Sequence, residues 1–555
     1  MNASQSKRGA ALLGLVAGAV MTTTAMSQDF NGDGFTDLAV GAPFEDLGAI
    51  ADAGAVTIIY GAGPGIGLAA VLPFPSVQIT QATFGIDPPE MGDMFGASMA
   101  WGDFNGDGFD DLAISSPGES HPVSLVPGAG MVIVLFGSPG GLVLLAPPIL
   151  VQDPPLAPFS LGDVAEPGDE LGRSLAAADF NGDGFDDLAL GVPGEDDPAG
   201  LADVGLAHAV YGTPGGLFVG PGVPMIFQTA WPWGDALEVG DRFGQTLAAG
   251  DLDGDGTGDL AIGVPFEDVG AIVDAGMVNV AYGLPGPGLI PAPTAETWTQ
   301  ASPGVPTAPV AGDQFGTAMA IANFDGVLGE DLAVGMPFRD FAGNVDAGSV
   351  ITIYSAGIGP GLEATLGGGA PQASEWWHQN VAGIAEVVAP SDLFGSVLAA
   401  GDLNGDPFAD LVIGVPGEDI GGAPIPDAGC IQVIHGAPPG LGLDAVFFPD
   451  QLFSQNTAGV PDLCEAGDAM GMSLTLGDYD GSFTLDVCVG VPLEDLGGGG
   501  TVDRGCVMTV YSLPGLGLSA AAGPVPAQIW HQNVAGIPDT NEMFDMWGAG
   551  LDFDD

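Results

Sequence analysis

Acidic nonapeptides at regular intervals are the residues of this 555-residue chain best suited to chemistry. The first reads DFNGDGFTD from Asp29 to Asp37, and further copies begin at Asp103, Asp179, Asp251, Asn323, Asp402 and Asp478. Positions one, three, five and nine carry side-chain oxygens, and the intervening glycines let the backbone curl tightly. Carboxylate and amide oxygens gathered in one loop are the ligands that Ca²⁺ prefers. The pattern predicts a calcium site in each complete copy.

Six copies hold a near-complete ligand set, so about six Ca²⁺ ions are expected. The predicted ligands are Asp29, Asn31, Asp33 and Asp37; Asp103, Asn105, Asp107 and Asp111; Asp179, Asn181, Asp183 and Asp187; Asp251, Asp253, Asp255 and Asp259; Asp402, Asn404, Asp406 and Asp410; and Asp478, Asp480, Ser482 and Asp486. Ser482 is a weaker ligand than a carboxylate. The alternative is a set of solvated Asx turns. An EF-hand is excluded because position twelve lacks the bidentate glutamate.

The fifth copy departs from the pattern. Asn323 replaces the first aspartate and Val327 occupies position five, which leaves Asp325 and Asp331. We expect this site to be weak or empty.

The elements that position these loops also repeat. The copies start 74, 76, 72, 72, 79 and 76 residues apart. A Gly/Ser-x-Pro follows each start by twelve residues, and a bulky residue, usually before glycine as in Phe95-Gly96, precedes it by eight. Short apolar and β-branched runs lie between these landmarks. Four short antiparallel strands repeated seven times predict an all-β fold, a seven-bladed β-propeller.

The chain ends indicate how the ring closes. Residues 28–555 are expected to form one propeller, in which the first repeat begins without its inner strand. Phe544 stands eight residues before Asp552, and Asp552-Phe553-Asp554 repeats the opening of the acidic motif. We therefore expect residues 544–555 to supply the closing strand of the first blade. An open stack or an eight-bladed ring would leave an unpaired partial unit.

Residues 1–27 read as a signal peptide. Lys7 and Arg8 precede an apolar run from 10 to 21, and Ala25-Met26-Ser27 offers a cleavage point after Ser27. The run is too short for the alternative, a membrane anchor. We expect a secreted protein, extracellular or associated with a cell surface, whose mature chain does not insert into a membrane. Lys+Arg 6 against Asp+Glu 71 gives a net charge of −65, which excludes a nucleic-acid partner.

Catalytic signals are weak. His378 and His531 lie in matching WHQNVAG segments, and recurrence at one blade position favours a structural role. Paired carboxylates of the kind that hydrolyse glycosides also recur by repeat, which favours turn or inter-blade structure. These pairs are Glu45-Asp46, Glu195-Asp196, Glu267-Asp268, Glu418-Asp419 and Glu494-Asp495.

Four cysteines fall late in the chain, at Cys430, Cys464, Cys488 and Cys506. In an exported protein they are able to pair. Cys488 with Cys506 is the favoured disulfide; a Cys430–Cys464 bond alongside it, or free buried thiols, are the alternatives.

The order Phe-Gly, acidic loop, Gly-Ala-Pro resembles the FG-GAP repeat of integrin α-subunit propellers and of many secreted bacterial proteins. The resemblance covers Asp29 to Asp555 and implies calcium between the first and second strands of a blade. It also implies ligand binding on the opposite face, where loops such as 301–312 and 380–393 vary. We expect a monomeric, non-catalytic binding or adhesion scaffold for an extracellular protein or glycan. The alternatives are a polysaccharide hydrolase or lyase, or a lectin; a non-repeated cluster of His, Tyr, Arg and carboxylate at one end of the axis would favour an enzyme.

Overall fold

The structure is a computed structural model that describes most of the chain. The described residues are 20–21, 28–70, 74–85, 88–122, 124–145, 147–152, 161, 163–218, 224–233, 236–291, 295–359, 361–365, 373–421, 424–437, 450–495, 503–521, 523–538 and 545–551. They form seven antiparallel blades of four strands each, arranged as a ring. The strands of a blade are called inner, second, third and outer, counted from the ring axis.

The strand bounds follow the repeat. In that order, blade 1 has Gly550–Leu551, Leu38–Ala42, Ala55–Gly61 and Val77–Ile79; blade 2 has Met99–Gly102, Asp111–Ser116, Met131–Leu135 and Ile149–Leu150; blade 3 has Leu175–Ala178, Asp187–Val192, Leu206–Val210 and Met225–Ile226; blade 4 has Thr246–Gly250, Asp259–Val264, Met277–Ala281 and Glu296–Trp298. Blade 5 has Ala318–Ala322, Asp331–Met336, Ser349–Ser355 and Glu375–Trp377; blade 6 has Leu398–Gly401, Asp410–Val415, Cys430–Ile434 and Gln451–Phe453; blade 7 has Ser473–Gly477, Asp486–Val491, Cys506–Leu513 and Gln528–Trp530. The predicted seven-bladed propeller is confirmed.

Short additional elements decorate this ring. Leu68–Ala69, Leu362–Glu363 and Gly517–Ser519 pair with the third strands of blades 1, 5 and 7. Val20–Met21 pairs in parallel with Ala248–Ala249 of the blade 4 inner strand. One helical turn spans Gln81–Phe84, and a 3₁₀ turn spans Gln228–Ala230.

The core lies between neighbouring blades. Second strands such as Leu38–Ala42 and Asp187–Val192 are buried along their whole length. Because both faces of each sheet are covered, these strands are continuous apolar runs rather than alternating ones. The bulky residue before each inner strand, such as Phe95 or Phe243, is fully buried. Burial of one large apolar side chain per blade interface, aromatic except at Leu171 and Met470, holds the ring together through the hydrophobic effect.

Backbone contacts explain the glycines of the repeat. Phe95 N donates to Ala53 O at 3.1 Å, and Gly96 N donates to Ser115 O at 2.9 Å. A β-carbon on Gly54, whose φ is +83°, would lie 2.3 Å from the Phe95 carbonyl oxygen. The close approach of blade 1 to the start of blade 2 therefore requires glycine there.

The C-terminal strand closes the ring, as predicted, but in another register. Gly41 pairs with Gly550 and Val40 with Leu551. Gly548 N donates to Gly41 O at 3.1 Å, the bond that Gly96 makes in blade 2. Trp547-Gly548 therefore occupies the position that Phe95-Gly96 has in blade 2. The prediction that Phe544 occupies this position was wrong by three residues, because the bulky residue here is a tryptophan and not a phenylalanine. Phe544 and Asp552 lie outside the described residues.

The predicted signal peptide, residues 1–27, lies outside the described residues except for Val20–Met21. Among the described residues, no helix combines the length and apolar character needed to cross a bilayer.

The favoured disulfide is wrong. Cys488 lies opposite Thr509, whereas Cys506 lies opposite Val491. The two cysteines are thus offset by three positions on adjacent strands, which is roughly 10 Å and beyond disulfide reach. All four cysteines are buried free thiols.

Candidate metal loops

In blades 2 to 7 each acidic loop joins the inner strand to the second strand, and in blade 1 the loop 29–37 leads into the second strand, Leu38–Ala42, while the inner strand comes from Gly550–Leu551. In blade 2 the loop 103–111 follows Met99–Gly102 and leads into Asp111–Ser116. Because each blade is built in the same way, all seven loops lie on one face of the ring. This face is called the loop face, and the face at the other end of the second strands is called the opposite face.

The aspartate at position nine fixes the loop to its blade. Asp37 is fully buried; its Oδ2 accepts a bond from Phe30 N at 3.0 Å and its Oδ1 one from Gly61 N at 2.9 Å. The same pair of bonds recurs at Asp187, Asp259, Asp331, Asp410 and Asp486. Position nine therefore ties the loop to the end of the third strand, a structural duty that the sequence pattern did not separate from ligation.

The aspartate at position one shapes the loop itself. Asp29 Oδ1 accepts a bond from Asp33 N at 3.0 Å, and its Oδ2 accepts one from Gly34 N at 2.7 Å. Asp103, Asp179, Asp251 and Asp478 accept equivalent bonds. The Asx turns that the sequence offered as an alternative are thus present. They do not exclude metal binding, since each carboxylate oxygen has a second lone pair.

Position three supplies oxygens that the protein leaves without a hydrogen bond. Asn31 Nδ2 points at Asp37, 3.4 Å from each carboxylate oxygen, while Asn31 Oδ1 is buried and unbonded. Asn181 Oδ1 is in the same state. Asp480 is 2% exposed, and neither of its carboxylate oxygens has a partner. A buried oxygen without a partner costs free energy, so these atoms fit a bound cation.

Carboxylates converge in two of the loops. Within the described residues, one oxygen from each of Asp251, Asp253 and Asp255 lies within 4.8 Å of the others, and Asp478, Asp480 and Asp486 converge equally. Hard oxygen donors at this density suit Ca²⁺.

Burial and mutual repulsion disfavour the ionised form of the loop carboxylates. Burial, followed by the nearby carboxylates of Asp103 and Asp107, raises the pKa of Asp111 to about 8. Asp187 is shifted to a pKa of about 8 by burial and by Asp179 and Asp183. A divalent cation would remove both penalties by pairing with the ionised form.

Two predicted departures have structural explanations. In the fifth loop, Asn323 Nδ2 donates to Val327 O at 2.6 Å and its Oδ1 accepts from Gly326 N at 2.6 Å. An amide therefore closes this loop from within, while Asp325 Oδ2 at position three is buried without a hydrogen-bond partner. The weak or empty site stays a prediction. In the seventh loop, the Ser482 hydroxyl lies 2.8 Å from Thr484 Oγ1, which occupies it away from the carboxylates.

Contacts between successive loops were missed by the sequence reasoning. Asp110 Oδ2 accepts a bond from Asp29 N at 2.7 Å, and Asp186 and Glu330 do the same for Asp103 N and Asp251 N. The Phe109 ring lies against Gly32, where a β-carbon would come 2.4 Å from the ring. An acidic residue at position eight was the available signal. The loops thus form a continuous belt that ties blade to blade.

The recurrent carboxylate pairs are structural, as their recurrence suggested. The glutamate is held by a glutamine of the preceding blade, for example Gln152 Nε2 to Glu195 Oε2 at 3.1 Å. The adjacent aspartate caps its own loop, as when Asp203 N donates to Asp196 Oδ1 at 3.0 Å.

The repeated histidines also have local roles. His378 Nδ1 accepts from Asn380 N and His531 Nδ1 from Asn533 N, each at 3.2 Å. These bonds fold the turns that follow two outer strands.

Comparison with known proteins agrees with this architecture. The FG-GAP repeat profile matches residues 22–59, 95–135, 171–211, 243–279 and 394–429, which are repeats one, two, three, four and six. Phosphatidylinositol-glycan-specific phospholipase D of Mus musculus is 34% identical over 188 residues, covering 34% of this chain and 20% of the mouse protein. Integrin alpha-PS5 of Drosophila melanogaster is 32% identical over 175 residues, covering 30% of this chain and 14% of the fly protein.

The matched part of the chain therefore spans at most one fifth of these two relatives. Among solved structures, the Bacillus licheniformis rhamnogalacturonan lyase PL11 has 14% identity and a TM-score of 0.31, with 71% of this chain and 72% of that chain covered. The chain therefore contains FG-GAP repeats, and in their order and in the propeller that they build it resembles the integrin α-subunits.

Proposed function

We propose that this protein is a secreted, calcium-stabilised, non-catalytic scaffold that binds an extracellular protein or glycan on its opposite face. The observation that carries the proposal is a difference between the two faces of the ring. The loop face is a hydrogen-bonded belt built from repeated residues, whereas the opposite face carries segments that differ between blades. Variable segments on a rigid ring are typical of recognition surfaces.

Calcium would be held by the acidic loops of blades 1, 2, 3, 4, 6 and 7. Positions one, three, five and nine of each loop would supply the oxygens, with serine at position five of the seventh. When bound, the ion would neutralise carboxylates that the fold holds together. The partnerless oxygens of Asn31, Asn181 and Asp480 support this assignment.

An aromatic cluster on the opposite face supports a glycan or protein ligand. The Phe341 ring packs 4.0 Å from His378 and 5.3 Å from Trp376, measured between ring centroids. All three side chains are partly exposed. Burial lowers the pKa of His378, which keeps the ring neutral. Partly exposed aromatic rings offer large contact area for sugars and protein side chains.

Blade 7 provides a matched control, because Ile529 stands where blade 5 has Trp376. The test is binding of the monomeric mature chain to immobilised polysaccharides and extracellular-matrix proteins in calcium. We expect Trp376→Ala to weaken binding about tenfold or more, as for an aromatic contact at the centre of an interface. Ile529→Ala should leave binding unchanged. If the Trp376→Ala variant binds every ligand as tightly as the wild type does, docking at this aromatic cluster is disproved.

A second candidate, a polysaccharide-degrading enzyme, is favoured by one ionic cluster. Glu170 Oε2 lies 3.8 Å from Arg173 Nη1 and 3.9 Å from Arg242 Nη1, and the other blades do not repeat these residues. The cluster adjoins the start of the blade 3 and blade 4 inner strands. Release of shortened or unsaturated oligosaccharides from a bound polysaccharide, abolished by Arg242→Gln, would establish catalysis instead.

A further inference from the structure

All four Asn-Gly pairs of the chain lie at the same place in the repeat. They occupy positions three and four of the acidic loops in blades 1, 2, 3 and 6, at Asn31-Gly32, Asn105-Gly106, Asn181-Gly182 and Asn404-Gly405. The loops of blades 4, 5 and 7 have aspartate at position three, at Asp253, Asp325 and Asp480. The same loop is therefore present in an amide form and in a carboxylate form.

Asparagine followed by glycine can lose its side-chain amide without an enzyme. Because glycine has no β-carbon, its peptide nitrogen can approach the asparagine side chain closely. The glycine nitrogen attacks the asparagine Cγ, the new N–Cγ bond forms, and the Cγ–Nδ2 bond breaks. The proton of the glycine N–H ends on the departing nitrogen, which leaves as ammonia. Water then opens the cyclic imide at either carbonyl and gives aspartate or isoaspartate.

The fold requires the glycine of each pair, so the sequence cannot protect the asparagine by replacing it. Gly32 has a φ of +70° and Gly106 a φ of +71°, in the left-handed region. A β-carbon would lie 2.4 Å from the Phe109 ring at Gly32 and 2.4 Å from the Phe185 ring at Gly106. The asparagine can therefore be shielded only by whatever holds its own amide group.

The hydrogen bonds of that amide are long. Asn31 Nδ2 lies 3.4 Å from each carboxylate oxygen of Asp37, and Asn181 Nδ2 lies 3.5 and 3.3 Å from those of Asp187. An ordinary N–H···O bond is about 2.9 Å long. The Oδ1 atoms of Asn31 and Asn181 have no hydrogen-bond partner at all. The protein alone thus restrains these amides weakly, and a cation held through Oδ1 would restrain them firmly.

Burial and bonding differ most between two of the four sites. Asn105 is partly exposed, so water reaches its side chain. Asn404 is 1% exposed, and its Oδ1 accepts a bond from Asp406 N at 2.9 Å. In both loops the glycine nitrogen donates to the carboxylate at position one, at 2.7 and 2.6 Å. Because the attacking nitrogen is held equally in the two loops, the difference between the sites lies in the asparagine.

We propose that the Asn-Gly pairs deamidate when their loops hold no calcium, Asn105 before Asn404, and that a bound ion protects them. The protection rests on the calcium sites of the proposed function, whereas the reaction and its order rest on the loops alone. The aspartate product gives a loop the carboxylate that Asp253 and Asp480 already carry. The isoaspartate product lengthens the main chain by one carbon and distorts the loop. A period without calcium is thereby recorded in the covalent structure.

The test follows the four peptides by mass spectrometry in the mature chain, kept folded in chelator or in calcium. Each event replaces NH₂ by OH, and the chain unfolded in urea gives the intrinsic rate of each pair. Relative to that rate, Asn105 in chelator should react about fivefold faster than Asn404, the factor expected for one additional hydrogen bond. Calcium at a hundredfold excess over its Kd should slow the reaction about a hundredfold, since the ion-free fraction falls by that factor.

The variant Asn105→Gln checks the assignment of the mass change. It keeps an amide at position three but cannot close the same imide ring, so its peptide should stay unchanged while the other three pairs react as before. Intact pairs in chelator, or equal relative rates at Asn105 and Asn404, would overturn the proposal. Equal rates in calcium and in chelator would overturn the protection. Calorimetric titration of the same sample separates the two ideas, because bound ions would then leave the calcium sites of the proposed function standing and their absence would remove them.

Discussion

Blades 5 and 7 solve the same electrostatic problem in different ways. In blade 7, Asp478, Asp480 and Asp486 converge on the loop face, and burial followed by nearby acids raises the pKa of Glu494 on the opposite face to about 8. In blade 5, the Asn323 amide closes the loop and Arg339 pairs with Asp313. One blade carries its compensating groups in its sequence, and the other is expected to take up ions from solution. The difference predicts that blade 5 is the blade least dependent on calcium.

Removing calcium should have the largest effect. An ion at a hundredfold excess over its Kd stabilises the folded state by about 2.7 kcal/mol per site, and six loops contribute. We expect chelation to lower the melting temperature sharply. Hydrogen exchange in chelator should show blade 7 losing protection before the second strand of blade 5, Asp331–Met336. Simultaneous loss of protection in blades 5 and 7 would contradict the expected difference in their dependence on calcium.

Arg339→Gln should destabilise the protein by about 3 kcal/mol, because removing one partner leaves a buried charge uncompensated. The Arg339 and Asp313 side chains are only 12% and 2% exposed. Chemical unfolding should show this loss both with calcium and with chelator, since the pair uses no ion. A loss of stability in Arg339→Gln that depends on calcium would contradict the interpretation that Arg339 compensates Asp313 without an ion.

The effect of Asp480→Asn on the free energy of unfolding should have opposite signs with calcium and with chelator. With calcium, the variant should lose one bound ion and up to about 2.7 kcal/mol. In chelator it should be more stable than the wild type, because a buried carboxylate without a hydrogen bond has been neutralised. Asp325→Asn, the same position in the fifth loop, is the control and should not alter the number of bound ions. Calorimetric titration and thermal unfolding measure both quantities.

The pH dependence in chelator gives the smallest effect per pH unit. Burial, then neighbouring carboxylates, raises the pKa of Glu494 to about 8; burial does the same for Asp468, to about 7. Raised acid pKa values mean that the folded state holds protons which the unfolded state has released. Stability in chelator should therefore fall as pH rises from about 4.5 through 8, by up to about 1.4 kcal/mol per pH unit for each such group. Thermal unfolding across this pH range decides the sign.

The fold was predictable because the repeat fixes it. Constant offsets from the bulky residue to the acidic loop and on to the proline specify one rigid unit, and seven units specify a ring. The error at Phe544 arose where tryptophan took the aromatic position and the spacing was read from the wrong residue. The disulfide failed because the offset of Cys488 from Cys506 depends on strand register, which the spacing of the cysteines did not reveal.

The candidate sites were predictable only in part. Residue types at positions one, three, five and nine indicated calcium, but not that position nine would be occupied by two backbone amides. The pairing of Gln152 with Glu195 joins different blades, so no local pattern shows it. Its signal was present, however, because a glutamine follows the outer strand in every repeat.

The shared first blade has a consequence for how the molecule reaches its native state. Gly550–Leu551 completes a sheet whose other strands come from the first repeat, so that sheet stays unfinished until residues 550–551 have been synthesised. Such non-local pairing makes folding slow. A chain cleaved before residue 550 would keep an open edge at Leu38–Ala42, able to accept the same strand from a second molecule. Loss of these few residues would therefore convert a closed ring into a unit for chain-to-chain exchange.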